Sequence, residues 1–156
     1  LRPFWLRTAL VSWTATNPLM TRSLLKQMVF RKDAVTDRHV EILHAPLTVR
    51  GATRDASHWL PSLMVPPVDA LSTRPEAYAA FDVPTQIIWG ERDDVTPLSQ
   101  AKAIDDVLPQ SELTVLPNIG HIPHVEDPEA LNSVLLEVLA KLQERDGSPA
   151  PPVVYE

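Results

Sequence analysis

Cysteine is absent from the 156 residues. The chain can therefore form no disulfide framework, no thiolate nucleophile and no thiolate zinc site, and nothing in it marks a redox compartment. Glycine is scarce, at four residues, and aromatic residues make up only 6%. Basic residues are outnumbered, 14 Lys and Arg against 20 Asp and Glu, for a formal charge of −6. General affinity for nucleic acid needs a basic surface and is disfavoured. No apolar run approaches the roughly 18 residues of a membrane span. No leader pattern opens the sequence and residue 1 is Leu, so the chain is expected to be an internal piece or a processed product.

The remaining composition is that of a folded domain. Apolar residues make up 44% and charged residues 22%, ordinary globular values that exclude disorder over most of the length. The length suits one compact domain or half of a larger one. Charge divides the chain. Residues 1–80 carry 10 Lys and Arg against 6 Asp and Glu, and residues 81–156 carry 4 against 14, so two regions of different character are expected. No internal repeat is present.

Residues 1–80 read as helices and loops. Leu19, Leu24, Leu25, Met28 and Val29 recur at helical spacing and predict an amphipathic helix over 18–31. Thr36 is placed to cap a helix over 37–45, with Val40, Leu43 and His44 on one face and Pro46 stopping it. Residues 51–63 predict a third helix, and Pro61, Pro66 and Pro67 then break regularity. No stretch here alternates like a strand. Small helices among many prolines suit a cap or lid.

Residues 81–144 follow a different plan. Thr85 to Trp89 form a short β-prone run between Pro84 and Gly90. Pro97 opens a helix, with Thr96 expected as its N-cap and Ala101, Ile104 and Leu108 as its apolar stripe. Glu112 to Leu116 is a second strand. Asp127 caps a last helix whose apolar face is Leu131, Val134, Leu135, Val138, Leu139 and Leu142. Strand, helix, strand, helix implies parallel pairing with crossover connections. Residues 145–156, rich in proline, read as a flexible tail.

Parallel sheets gather functional groups beyond the carboxyl ends of their strands. Two loops sit there: residues 90–97, with Gly90, Arg92, Asp93, Asp94 and Pro97, and residues 118–124, with Gly120, His121 and His124. One offers carboxylates and the other imidazoles, separated by one crossover. A buried carboxylate that holds a His in one tautomer is the orienting half of a nucleophilic triad. Asp93 and His121 are the candidate pair. Asp94 is the rival carboxylate, exposed turn roles being the alternative for each acid. His124 lies three residues further along the same loop. His39, His44 and His58 read as surface or packing residues, no carboxylate joins them at metal spacing, and no metal or cofactor is expected.

Residues 82–143 resemble the C-terminal part of an α/β-hydrolase-fold enzyme. The pattern is strand, Gly90-x-x-Asp93-x-x-x-Pro97, helix, strand, Gly120-His121, helix, with the acid before the histidine in chain order. The resemblance implies an α/β fold class, specifically the last two parallel strands of the hydrolase core with flanking helices (residues 81–144), preceded by a helical cap or lid (residues 1–80). It implies Asp93 as the orienting acid and His121 as the general base. The nucleophile of that family sits on a Gly-x-Ser-x-Gly elbow, or has Asp or Cys in the same slot. The glycines here are Gly51, Gly90, Gly120 and Gly147, so no such pair exists, and the nucleophile is expected outside this chain.

The resemblance leaves several readings open. A serine nucleophile would mean hydrolysis of an ester, lactone, thioester or carbon–carbon bond, the favoured reading. An aspartate would mean an epoxide or halide. A non-catalytic binding module and one subunit of a split hydrolase are the further alternatives. The expected partner is a small-molecule substrate with an apolar part. Trp5, Trp13, Trp59, Phe30 and the Met residues are candidates to line its pocket, with ordinary helix packing as their alternative role. Arg92 either supports the charge of Asp93 or faces solvent. A two-stranded piece also leaves a sheet edge and an apolar face uncovered. Self-association through that edge, or dependence on the N-terminal half of the fold, is expected.

Overall fold

The computed structural model describes residues 4–146 apart from 15 and 66. The first half is helical: α1 (Phe4–Trp13), α2 (Pro18–Met28), α3 (Asp37–His44), α4 (Ala52–Met64) and α5 (Pro75–Ala79), with single 3-10 turns between them. The second half is β1 (Thr85–Gly90), α6 (Leu98–Val107), β2 (Ser111–Leu116), α7 (Pro123–Glu126) and α8 (Pro128–Asp146). Residues 145 and 146 of the expected tail over 145–156 belong to α8; residues 147–156 lie outside the described residues.

The helix ends follow local chemistry. Asn17 caps α2 by accepting from the Leu19 amide at 3.0 Å. Thr36 accepts from the His39 amide while the His39 ring accepts from the Thr36 amide, a reciprocal capping box that satisfies two otherwise orphaned donors. Gly51 opens α4 at φ +89°, a left-handed conformation that strains any residue carrying a Cβ. Asp127 caps α8 through the Ala130 amide at 3.0 Å.

The helix expected over 51–63 is α4, which runs through Pro61 to Met64. Two expectations need correction. The helix predicted over 18–31 stops at Met28, because the backbone turns extended at Val29 and the amides of Phe30 and Arg31 are drawn to a distant carboxylate. Thr96 does not cap α6. Pro97 is the N-cap residue, since the side chain and amide of Thr96 are both engaged by Asp93.

β1 and β2 pair in parallel, Thr85 beside Ser111 through Gly90 beside Leu116. The core lies next to their carboxyl ends. Leu25, Val29 and Val35 form a buried cluster, with Val40 and Ile122 packed on it. Ile122 directly follows His121, so the apolar cluster seats the histidine loop against the end of α2. Ala101, Leu116 and Ile119 are buried nearby. α1 and α4 lie side by side, joined by hydroxyl contacts between Thr8 and Ser57 and between Thr16 and Thr53. Their outer faces are bare: Trp5 is 69% exposed and Trp13 77%. The stripe expected to bury α8 is also largely uncovered at Leu135, Leu139 and Leu142.

Candidate active site

The two loops foreseen at the carboxyl ends of the strands meet. Gly90 ends β1 where a Cβ would fall 2.2 Å from the Gly120 carbonyl oxygen and 2.4 Å from that of Ile119. Only glycine lets the loops approach this closely. The Arg92 amide donates to the Ile119 carbonyl at 2.9 Å and fixes the approach. On the other side, a Cβ at Gly120 would fall 2.6 Å from the Phe30 nitrogen. Both glycines are therefore set by packing rather than by unusual backbone angles.

Asp93 is buried, its side chain only 4% exposed, and it faces His121. One carboxylate oxygen, Oδ1, accepts from the amides of Val95 at 2.9 Å and Thr96 at 2.8 Å. The other, Oδ2, accepts from the Thr96 hydroxyl at 2.8 Å and lies 3.0 Å from His121 Nδ1. Burial alone would push this carboxyl up; the Thr96 amide, His121, the Thr96 hydroxyl and the Val95 amide together outweigh it and hold it below the usual carboxylate value.

This network decides the tautomer of His121. The single hydroxyl proton of Thr96 goes to Asp93, so the Thr96 oxygen, 3.1 Å from Nδ1, is left to accept. Nδ1 therefore carries the proton, shared between Asp93 and Thr96. Nε2 then keeps its lone pair, and it takes no hydrogen bond among the described residues. The ring is partly open to solvent, its side chain 28% exposed. The backbone of His121 is anchored through its amide to the Met28 carbonyl at 2.8 Å.

The other candidates fall elsewhere. Asp94, in the same loop, is exposed. Arg92 does not reach the Asp93 carboxylate. It pairs with Glu91 at 3.5 Å and lies over the Phe30 ring, 5.7 Å from its centre. His124 and His58 are exposed, and His39 belongs to the capping box. No group of three or more His, Asp or Glu among the described residues is arranged to hold a metal. Trp5, Trp13 and Trp59 are exposed on the helical half. A cleft of about 640 Å³ opens at the amino ends of the strands, by Pro84, Gln86, Gln110 and Leu142, away from Asp93 and His121.

Two residues of the site are not apparent from spacing. Thr96 bridges the acid and the base, although its position suggests an ordinary helix cap. Glu126, only 3% exposed, accepts from the amides of Phe30, Arg31 and Gly120. Its partners at 30 and 31 lie more than ninety positions away, beyond the reach of any periodicity.

No family model matches the chain. Monoacylglycerol lipase ABHD6 of Bos taurus is 36% identical over 66 residues, 42% of this chain and 20% of that protein. Lipase 3 of Moraxella sp. (strain TA144) is 29% identical over 58 residues, 37% of this chain and 18% of that one. Among solved structures, the meta-cleavage product hydrolase CumD of Pseudomonas fluorescens IP01 superposes with a TM-score of 0.67 at 23% identity, covering 81% of this chain and 46% of that one. The chain has the C-terminal part of the α/β-hydrolase fold. It matches about a fifth of the length of these curated relatives. No helix among the described residues is long and apolar enough to cross a membrane.

Proposed function

We propose that this chain supplies the acid and the general base of an α/β hydrolase acting on a carboxylic ester with an apolar part. The observation that carries the reading is the Asp93–His121 pair, with Nδ1 of the ring at 3.0 Å from a buried carboxylate and Nε2 unengaged among the described residues. His121 takes the proton of the nucleophile at Nε2 and later returns it to the leaving group. Asp93 and Thr96 keep Nδ1 protonated throughout, and the Asp93 charge stabilises the imidazolium that forms. The names of the curated relatives, lipases, support acyl chemistry by a serine nucleophile.

The nucleophile and its oxyanion hole belong to protein outside this chain. Residues 81–146 provide the end of the hydrolase core and residues 1–80 its cap or lid. The rest of the sheet covers the open strand edge and the bare apolar stripe of α8. Alone, the chain orients a base with nothing to activate and is inactive.

The test is to read the frame upstream of Leu1, express the protein with that segment, and assay p-nitrophenyl esters of short and medium acyl chains. A Gly-x-Ser-x-Gly elbow and ester turnover support the reading. An Asp in the elbow slot would replace ester with epoxide or halide chemistry. A frame without an elbow, and no ester turnover with any co-purifying protein, would contradict it.

A further inference from the structure

We infer that Glu126 is a positioning residue for His121, tying the histidine loop to the segment that leaves α2. The inference rests on the reading of His121 as the base. Glu126 ends the single-turn helix α7 and is almost fully buried. Its Oε2 accepts from the Gly120 amide at 2.9 Å and the Phe30 amide at 3.1 Å, and its Oε1 accepts from the Arg31 amide at 2.6 Å. The next residue, Asp127, pairs with the Arg31 guanidinium at 3.0 Å. The His121 amide donates to Met28.

The peptides on either side of residue 120 are thus both bonded to one short stretch, residues 28–31. Glu126 supplies half of that stitch and Met28 the other half. Gly120 has no room for a Cβ because the stretch lies against it. Such a loop cannot rotate its backbone without leaving buried donors unpaired, which is costly. The orientation of the His121 ring toward Asp93 depends on that backbone, and a displacement of about 1 Å at a reacting group can cost on the order of 100-fold in rate. Among the described residues no hydrogen bond joins Glu126 to the ring; its partners are backbone amides. It acts by holding the peptide that precedes His121. It also makes the geometry of the base depend on the end of α2, so that the helical half and the histidine loop move together.

The test is the state of the His121 ring in E126A and E126Q of the full 156-residue chain. Imidazole proton–nitrogen NMR spectra report an Nδ1 proton held against Asp93 as a protected downfield signal. In E126A that signal is expected to be lost at neutral pH, and the Gly120 amide to exchange about 10- to 100-fold faster, while the amides pairing β1 with β2 keep wild-type rates. In E126Q, one carbonyl oxygen remains but an NH2 group faces an amide donor, and the signal is expected to shift part-way. An unchanged Nδ1 signal in either variant, with the strand amides still protected, would overturn the inference. Equal acceleration of Gly120 and strand amides in E126Q would also overturn it, by reducing Glu126 to a general stability contact. The catalytic reading fails by a different result: a wild-type Nδ1 signal in the chain together with full ester turnover by His121→Ala of the complete protein.

Discussion

The carboxyl ends of the strands and the outer helical faces are built to opposite standards. At the strand ends, the buried carboxylates Asp93 and Glu126 each accept several hydrogen bonds, and glycines let three segments touch. On the outside, Trp5, Leu10 and Trp13 of α1 and Leu136 and Leu139 of α8 stand more than half exposed. The difference is physical. Hydrogen bonds that fix a loop are satisfied by a few residues near at hand, whereas covering a helix face takes area that a two-stranded sheet does not have. The site end is self-contained in its orienting groups, and the outer faces are left uncovered among the described residues.

Substitutions at the site should be felt far more than those on the outer faces. The largest contrast is between neighbouring carboxylates. On the proposed reading, Asp93→Asn in the complete protein is expected to lower kcat by about 10⁴-fold, because an amide no longer selects the productive tautomer. Asp94→Asn, on an exposed acid, should leave kcat within about threefold. Steady-state ester assays check both.

The glycines offer a second contrast. Gly120→Ala sets a Cβ against backbone at 2.6 Å and should cost about 3 kcal/mol. Gly51→Ala meets nothing closer than 3.7 Å and should cost about 1 kcal/mol from its positive φ. Urea unfolding of the two variants measures the difference.

The third contrast is in acid. Because Asp93 is held below its ordinary value of 3.8, the unfolded chain binds its proton at a higher pH than the folded one. The stability from Asp93 is present above the ordinary value and is lost as pH falls below 3.8 through the lowered value. Asp93→Asn should flatten the stability profile in that window, seen as a smaller loss of unfolding midpoint on acidification. The smallest effect belongs to the outer face: Leu136→Ala, at a residue 67% exposed, should change the stability of the chain by no more than about 0.5 kcal/mol.

The sequence made the local part of this molecule legible. Both strands, α6 and α8 follow from β-prone runs and apolar periodicity, and the caps at Thr36 and Asp127 follow from their side chains. Asp93 and His121 stood out because strand ends in a parallel pair place their loops together. The connections that fix the loops were not legible. Glu126 reads as one acid among fourteen in residues 81–156, and only folding brings Phe30 and Arg31 to it. That same pull ends α2 at Met28, three residues before the end predicted at 31. Thr96 matched a helix cap by type, and the nearby Asp93 claimed it instead.

The most direct measurement is ester turnover by the complete protein with His121 and with His121→Ala, beside the 156-residue chain alone. The account predicts no turnover above buffer by the chain alone and a loss of about 10⁴-fold on removing the imidazole. Turnover by His121→Ala within about tenfold of wild type would contradict it.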